Sequence, residues 1–137
     1  MARAAFGAKD SQTVKVFEEA ESYPGASLII AYSHCIAHGY AMHLGLEQQK
    51  LAVESGVWPL FRYDPRRAAE GKAPLQMDSA APKARVKDYQ RNELRFRMKP
   101  EFAPAFEEAS QKEIDARVAL YAKLATIGAP ENGGAAK

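Results

Sequence analysis

His34, Cys35, His38 and His43 stand within ten positions of one another and include the chain's only cysteine and all three of its histidines. Thiol and imidazole at such spacing support three kinds of chemistry. A thiolate stabilised by a neighbouring imidazolium is a nucleophile. Sulfur and nitrogen ligands around a tetrahedral ion make a zinc site. One thiolate can also supply one corner of an iron–sulfur cluster, which ordinarily takes four cysteines, so that the other three must come from elsewhere. A plainer reading stands beside these: a cysteine packed like a small hydrophobe, with histidines that satisfy loop carbonyls. Spacing weighs against zinc. Adjacent residues of an extended chain point opposite ways, so His34 and Cys35 do not readily chelate one ion, and paired-ligand spacing is absent.

The elements that must position these residues follow from the pattern around them. The apolar run "SLIIAYS", 27–33, predicts a strand covered on both faces, the habit of parallel strands in α/β proteins. Cys35 then lies just past its C-terminal end, the edge at which ligands and catalytic groups collect in open α/β sheets. Upstream, Asp10 or Ser11 can cap a helix through Gln12 to Ser22, with Val14, Phe17 and Ala20 on one face, until Tyr23-Pro24-Gly25 stops it. Downstream, "LGLEQQKLAVESG" predicts a helix with Leu46, Leu51 and Val53 among good helix formers, ended by Gly56.

Beyond it, "VWPLFRYD" is extended and aromatic, and Pro59 predicts an edge or irregular strand. Asp64 to Pro74 is a loop, and "PLQMDS" adds a short strand. "KDYQRNELRFRMK" carries both periods, and Asp88 near its start, bases near its end and Pro100 beyond favour a helix. Pro104 opens the last helix, whose Ile114, Val118, Tyr121 and Ala125 step by threes and fours to Gly128. The order reads as half an α/β domain with a helical appendage, and two or three strands are few for a parallel sheet to stand alone.

At 137 residues and 47% hydrophobic the chain suits one domain with a real core. A net charge of +2 argues against a dedicated nucleic-acid binder. A lone cysteine points to a reducing, cytoplasmic setting, and no run reads as a signal peptide or membrane span. From 83 to 99 the bases Lys83, Arg85, Lys87, Arg91, Arg95, Arg97 and Lys99 face only Asp88 and Glu93. Such a run reads first as a solvated face and second as a docking patch for an acidic electron carrier, which Arg62, Arg66 and Arg67 could extend. A nucleic-acid role lacks the aromatic platform it would need.

The stretches "SLIIAYSHCIAHG", "GLEQQKLAVESGVWPLFRYDPR", "PLQMDSAAPK" and "DYQRNELRFRM" resemble the C-terminal part of the pyruvate:ferredoxin (flavodoxin) oxidoreductases. The match runs from about Phe6 to the helix "DARVALYAKLA". The resemblance implies a piece of that enzyme's thiamine-diphosphate-binding domain. Such an enzyme decarboxylates pyruvate, oxidises the hydroxyethyl-thiamine adduct one electron at a time, and passes the electrons through [4Fe-4S] clusters to ferredoxin or flavodoxin. It further implies that Cys35 matches the fourth ligand of the cluster nearest the thiamine, whose other three cysteines lie upstream. His34 and His38 could then tune that cluster or simply satisfy the loop.

The family's Gly-Asp-Gly motif for diphosphate and magnesium has no counterpart in this sequence, nor have its upstream cysteines. The expectation is therefore a fragment, inactive alone: a truncated or split reading frame, or one piece of a divided enzyme. Its partners are the upstream remainder, ferredoxin or flavodoxin through the complete enzyme, and a second copy if that enzyme is a homodimer. No nucleic acid or membrane is expected among them. Expected divisions are 1–82, the α/β part; 83–128, the helical appendage; and 129–137, a polar tail. Two alternatives remain open: a stand-alone interaction or zinc-binding protein derived from the domain, and a small thiol enzyme using Cys35 with His34 or His38.

Overall fold

Ile29–Ala31 (β2), the strand that leads to Cys35, lies at one edge of a four-stranded sheet ordered β2-β1-β3-β4. Its neighbour β1 is Ala2–Ala4, followed in space by β3, Phe61–Tyr63, and β4, Leu75–Met77. The helices are α1, Asp10–Glu21; α2, Gly45–Glu54; α3, Arg66–Ala69; α4, Val86–Gln90; α5, Leu94–Arg97; and α6, Ala103–Leu124. Short 3₁₀ turns occupy Ile36–His38 and Met42–Leu44. The computed structural model describes residues 1–97 and 103–128. Pro100, Lys99 and the 129–137 segment singled out from sequence lie outside them. Among the described residues no helix is long and apolar enough to cross a membrane.

The α/β class is as expected, but parallel pairing is confined to β1 and β2, with Ala2 opposite Ile29 and Ala4 opposite Ala31. α1 supplies the long crossover that parallel neighbours need. β3 runs antiparallel to both β1 and β4, and the turn of chain between Asp64 and Pro74, with α3 in it, returns β4 alongside β3. β3 is therefore internal and not the edge strand that Pro59 suggested. Pro59 precedes the first paired residue, Phe61, so its missing N–H costs the ladder nothing. β2, expected to be covered on both faces, is instead half-buried at a free edge. Of "KDYQRNELRFRMK", the described residues to Arg97 belong to two short helices, α4 and α5, with a break at Arg91–Glu93 in place of the one helix expected.

Which helix faces are buried also departs from simple apolar patterning. α1 buries Gln12 and Val16, while Val14 and Phe17 are 57% and 58% exposed. Val16 packs with Ala2, Ala4 and Ile29 under the parallel pair. Gln12 earns its burial through hydrogen bonds from its amide nitrogen to the Arg3 carbonyl and to Asp78 Oδ2. α2 likewise buries Gln48, Gln49 and Ala52 and leaves Leu46 exposed. α6 follows its pattern: Ile114 is buried, Val118 and Tyr121 are half-buried, and Tyr121 lies against Phe61 with ring centroids 5.5 Å apart.

An ion-pair knot ties α1, β3 and the chain after β4 together. Arg62, only 8% exposed, donates to Asp78 through Nε at 2.8 Å and Nη2 at 2.9 Å, and pairs with Glu19. Arg62 is thus spent inside the fold and cannot extend a basic docking patch. Arg66 pairs with Asp64, and Arg67 donates to the Ala73 carbonyl. Burial pushes the Asp78 carboxyl upward, but hydrogen bonds from Arg62 and Gln12 outweigh it and hold the group below the ordinary carboxylate range. A depressed folded-state pKa contributes stability that is present above the unfolded value and lost as pH falls through the folded one. Asp78→Asn should therefore lower the unfolding free energy near neutrality by roughly 1.5–3 kcal/mol. Denaturant titrations should show wild type and variant converging below about pH 4, where the unfolded-state carboxyl takes up its proton. A pH-independent gap would contradict the pairing.

Candidate functional site

From the C-terminal end of β2 the chain passes through Tyr32, Ser33 and His34 to Cys35, whose backbone is extended (φ −140°, ψ 141°). The 3₁₀ turn then folds back, with the His38 amide donating to the Cys35 carbonyl at 3.0 Å and the Gly39 amide to Ile36 at 3.0 Å. Gly39 closes the turn in the left-handed region, φ +71°. A Cβ there would sit 2.4 Å from Leu94 Cβ, so glycine is required by both conformation and the close approach of α5. Cys35 itself is a free, exposed thiol. Ile36 beside it is 79% exposed, and Met42, Leu44 and Leu46 are also open to solvent.

The three histidines do not converge. His34 turns toward α2, where the Gln49 side-chain amide donates to its Nδ1 at 3.2 Å and its ring lies against the bare backbone of Gly45. Gln49 Oε1 in turn accepts from the Gly7 amide at 2.9 Å, anchoring the loop after β1. His38 turns toward Glu93, its Nδ1 3.8 Å from Oε1. His43 is exposed on the second 3₁₀ turn. Among the described residues no three of His, Cys, Asp and Glu gather where a metal ion could sit, so the zinc alternative has no site. Of the two histidines the thiol-enzyme alternative would use, His34 is taken up by Gln49, and His38 Nδ1 has no hydrogen-bond partner among the described residues.

Sequence reasoning missed the shell behind the loop. Glu93 is fully buried; it accepts from Gln48 Nε2 at 3.2 Å and from Arg95 Nε at 2.5 Å. Gln48 also donates to the Tyr89 carbonyl at 3.1 Å and accepts from Asn92 Nδ2 at 3.0 Å. The Tyr32 and Tyr89 hydroxyls share a 2.9 Å hydrogen bond. Burial foremost, then Tyr32 and Glu93, holds the Tyr89 phenol far above its ordinary value. Tyr40 is raised by burial and then by Tyr32, Glu93 and Cys35. One signal was visible beforehand: Glu93 is an acid among bases. Of those bases, Arg91 is paired with Glu107 and Arg95 with Glu93; of the other described ones Lys83, Arg85 and Arg97 are exposed, as a solvated face would have them, and Lys87 is half-buried.

What the donor set fits can be tested on this geometry. An exposed thiol without a hydrogen-bond partner among the described residues, on a turn closed behind it, fits one ligand of an iron–sulfur cluster completed by cysteines from outside.

If Gly39 is held by both its conformation and Leu94, Gly39→Ala should cost more than Gly71→Ala. Gly71 has a similar φ of +67° but open space around it. The Gly71 change should cost about 1 kcal/mol for the left-handed backbone alone. Chemical denaturation of the two variants checks this, and equal losses would remove Leu94 from the account.

No family model matches the chain. It is 47% identical over 137 residues to the pyruvate-flavodoxin oxidoreductase of Rhodospirillum rubrum, with 97% of this chain aligned. It is 50% identical over 130 residues to that of a Nostoc species, with 92% aligned. The pyruvate:ferredoxin oxidoreductase of Moorella thermoacetica is 42% identical over 129 residues, with 91% aligned. The chain spans 11% of the length of each of these relatives.

Proposed function

We propose that this chain, homologous along nearly its whole length to a stretch of the pyruvate-flavodoxin oxidoreductases, supplies the Cys35 thiolate as one ligand of a [4Fe-4S] cluster and is inactive without the rest of such an enzyme. The observation that carries the reading is the placement of the sole, free and exposed cysteine at the C-terminal edge of β2, with apolar neighbours left uncovered. The cluster, when bound, supplies a one-electron relay between a 2-oxoacid-derived thiamine adduct and ferredoxin or flavodoxin. The chain's own part is to present sulfur: the Ile36–His38 turn fixes the backbone at Cys35, and Gly39 with Leu94 holds that turn closed. Residues 1–82 serve as part of the α/β domain that binds thiamine diphosphate, and 83–128 as an appendage whose Glu93 and Leu94 reach back to the loop.

The test joins this chain to the upstream remainder of the oxidoreductase and compares Cys35→Ala, His34→Ala and His38→Ala by iron content and electron paramagnetic resonance after reduction. Cys35→Ala should lose or destabilise one cluster and stop reduction of ferredoxin or flavodoxin. The two histidine variants should keep full iron. A full cluster complement in Cys35→Ala would overturn the ligand assignment.

A further inference from the structure

The register of the sheet sorts its side chains onto two faces. Ile29, Ala2, Arg62 and Gln76 form one row across it, and Ile30, Arg3, Phe61 and Met77 form the next. Successive rows project to opposite faces. The first row faces α1, where Val16 packs with Ala2 and Ile29, and Glu19 pairs with Arg62. The second row faces α6, which lies over β3 and β4: Tyr121 stands against Phe61, and the helix touches β4. β1 and β2 lack such cover on this face. Of the helices only α1 packs closely on β2, from the other side, and Ile30 and Arg3 are left half-buried.

Spacing decides what shape of cover fits. Strands lie about 4.8 Å apart, so two of them are roughly as wide as one helix, about 10 Å. One helix laid beside α6 therefore covers β1 and β2. The flank of α6 on that side is apolar: Leu120, 53% exposed, and Leu124 lie one turn apart, next to Arg117 and Tyr121.

Charge decides what the cover must carry. Arg62, on the α1 face, is met by Asp78 and Glu19. Arg3 stacks on Trp58, 3.8 Å from the ring centroid, beside Tyr121, and no acid pairs with it among the described residues. Its charged neighbour is another cation, Arg117, whose Nε is buried without a hydrogen-bond partner. Burial, with Arg117 adding to it, already holds the Arg3 pKa below its ordinary value. A purely apolar cover would bury that charge unmet. A second copy of the chain, docked by the same face about a two-fold axis, would set cations against cations.

We infer that β1 and β2 are covered on this face by an amphipathic helix from polypeptide outside this chain, packed beside α6 and carrying a carboxylate that pairs with Arg3. The relatives supply such polypeptide in principle, since the chain spans 11% of their length. This surface is independent of any ligand at Cys35.

The test uses the chain joined to the upstream remainder of the oxidoreductase, with a photoreactive benzophenone side chain placed at Leu120. The cross-link should reach a segment outside residues 1–137, with apolar residues at steps of three and four and an Asp or Glu among them. Arg3→Glu should lower its yield about tenfold or more, and changing that acid to Arg in the same protein should restore it. Rescue by the charge swap is what a merely structural arginine does not give. A cross-link to a second copy of this chain, to a segment without an acid, or to nothing overturns the inference, as does failure of the swap to restore the yield. Should Arg3→Glu not fold, Arg3→Met keeps the stem on Trp58 and removes the charge. Combined with the acid changed to its amide, it should lose no more than either change alone, whereas losses that multiply overturn the pairing. Iron content of Cys35→Ala, read separately, bears on the ligand reading alone.

Discussion

A carboxylate with no exposure to water has to be met by donors, and Glu93 meets that demand by drawing two helices to one point. Gln48 comes from α2 and Arg95 from α5, while the His38 ring from the turn after β2 lies 3.8 Å away without a hydrogen bond. Removing Gln48 or Arg95 leaves charge or a lone pair of Glu93 unsatisfied. The arrangement explains why α2 buries glutamines in preference to its leucines: Gln48 serves Glu93, and Gln49 serves His34 and Gly7. It also explains why the segment after α4 breaks its helix. Glu93 and Leu94 must reach the Cys35 turn, and a continuous helix would carry them elsewhere on its surface.

The molecule is finished on that side and open on the other. β2 has a partner on one edge only, and Leu28 before it is more than half exposed. Phe6, Val14, Phe17 and Ile36 are exposed as well. Scattered apolar side chains on a surface need no explanation, but these accompany a free strand edge, which is a template for pairing. The chain spans 11% of the length of the relatives it matches. The polar network behind the loop and the bare surface in front of it leave the free thiol of Cys35 at an exposed edge.

Much of this was legible in the sequence where one element obeyed one rule. β2, α2, β4 and α6 stand where apolar runs, capping residues and glycines put them, and Ile114, Val118 and Tyr121 face inward as their spacing requires. The errors have a common physical source. β1, only Ala2–Ala4, is too short and too bland to announce itself, yet it is internal to the sheet and decides its pairing. Without it the sheet looked parallel, and Pro59 alone made β3 look like an edge or irregular strand. Val14 and Phe17 are apolar at helical spacing yet exposed, because hydrogen bonds put Gln12 inward and contact with the strands puts Val16 there. Of the candidate site, the place of Cys35 just past the end of β2 was legible from the apolar run before it. Glu93, Gln48 and Tyr89 were not, because what brings them together is pairing across more than forty residues of chain, which no local period encodes.

The role proposed for Cys35 requires further cysteines from outside this chain. Its most direct test is anaerobic reconstitution with iron and sulfide of the chain alone and of the chain joined to the upstream polypeptide, followed by quantification of both elements. One thiolate cannot retain a [4Fe-4S] cluster, so the chain alone should come through desalting without stoichiometric iron, while the joined polypeptide should keep a complement that includes the Cys35 cluster. A chain that by itself retains iron and sulfide in cluster proportion would contradict the account.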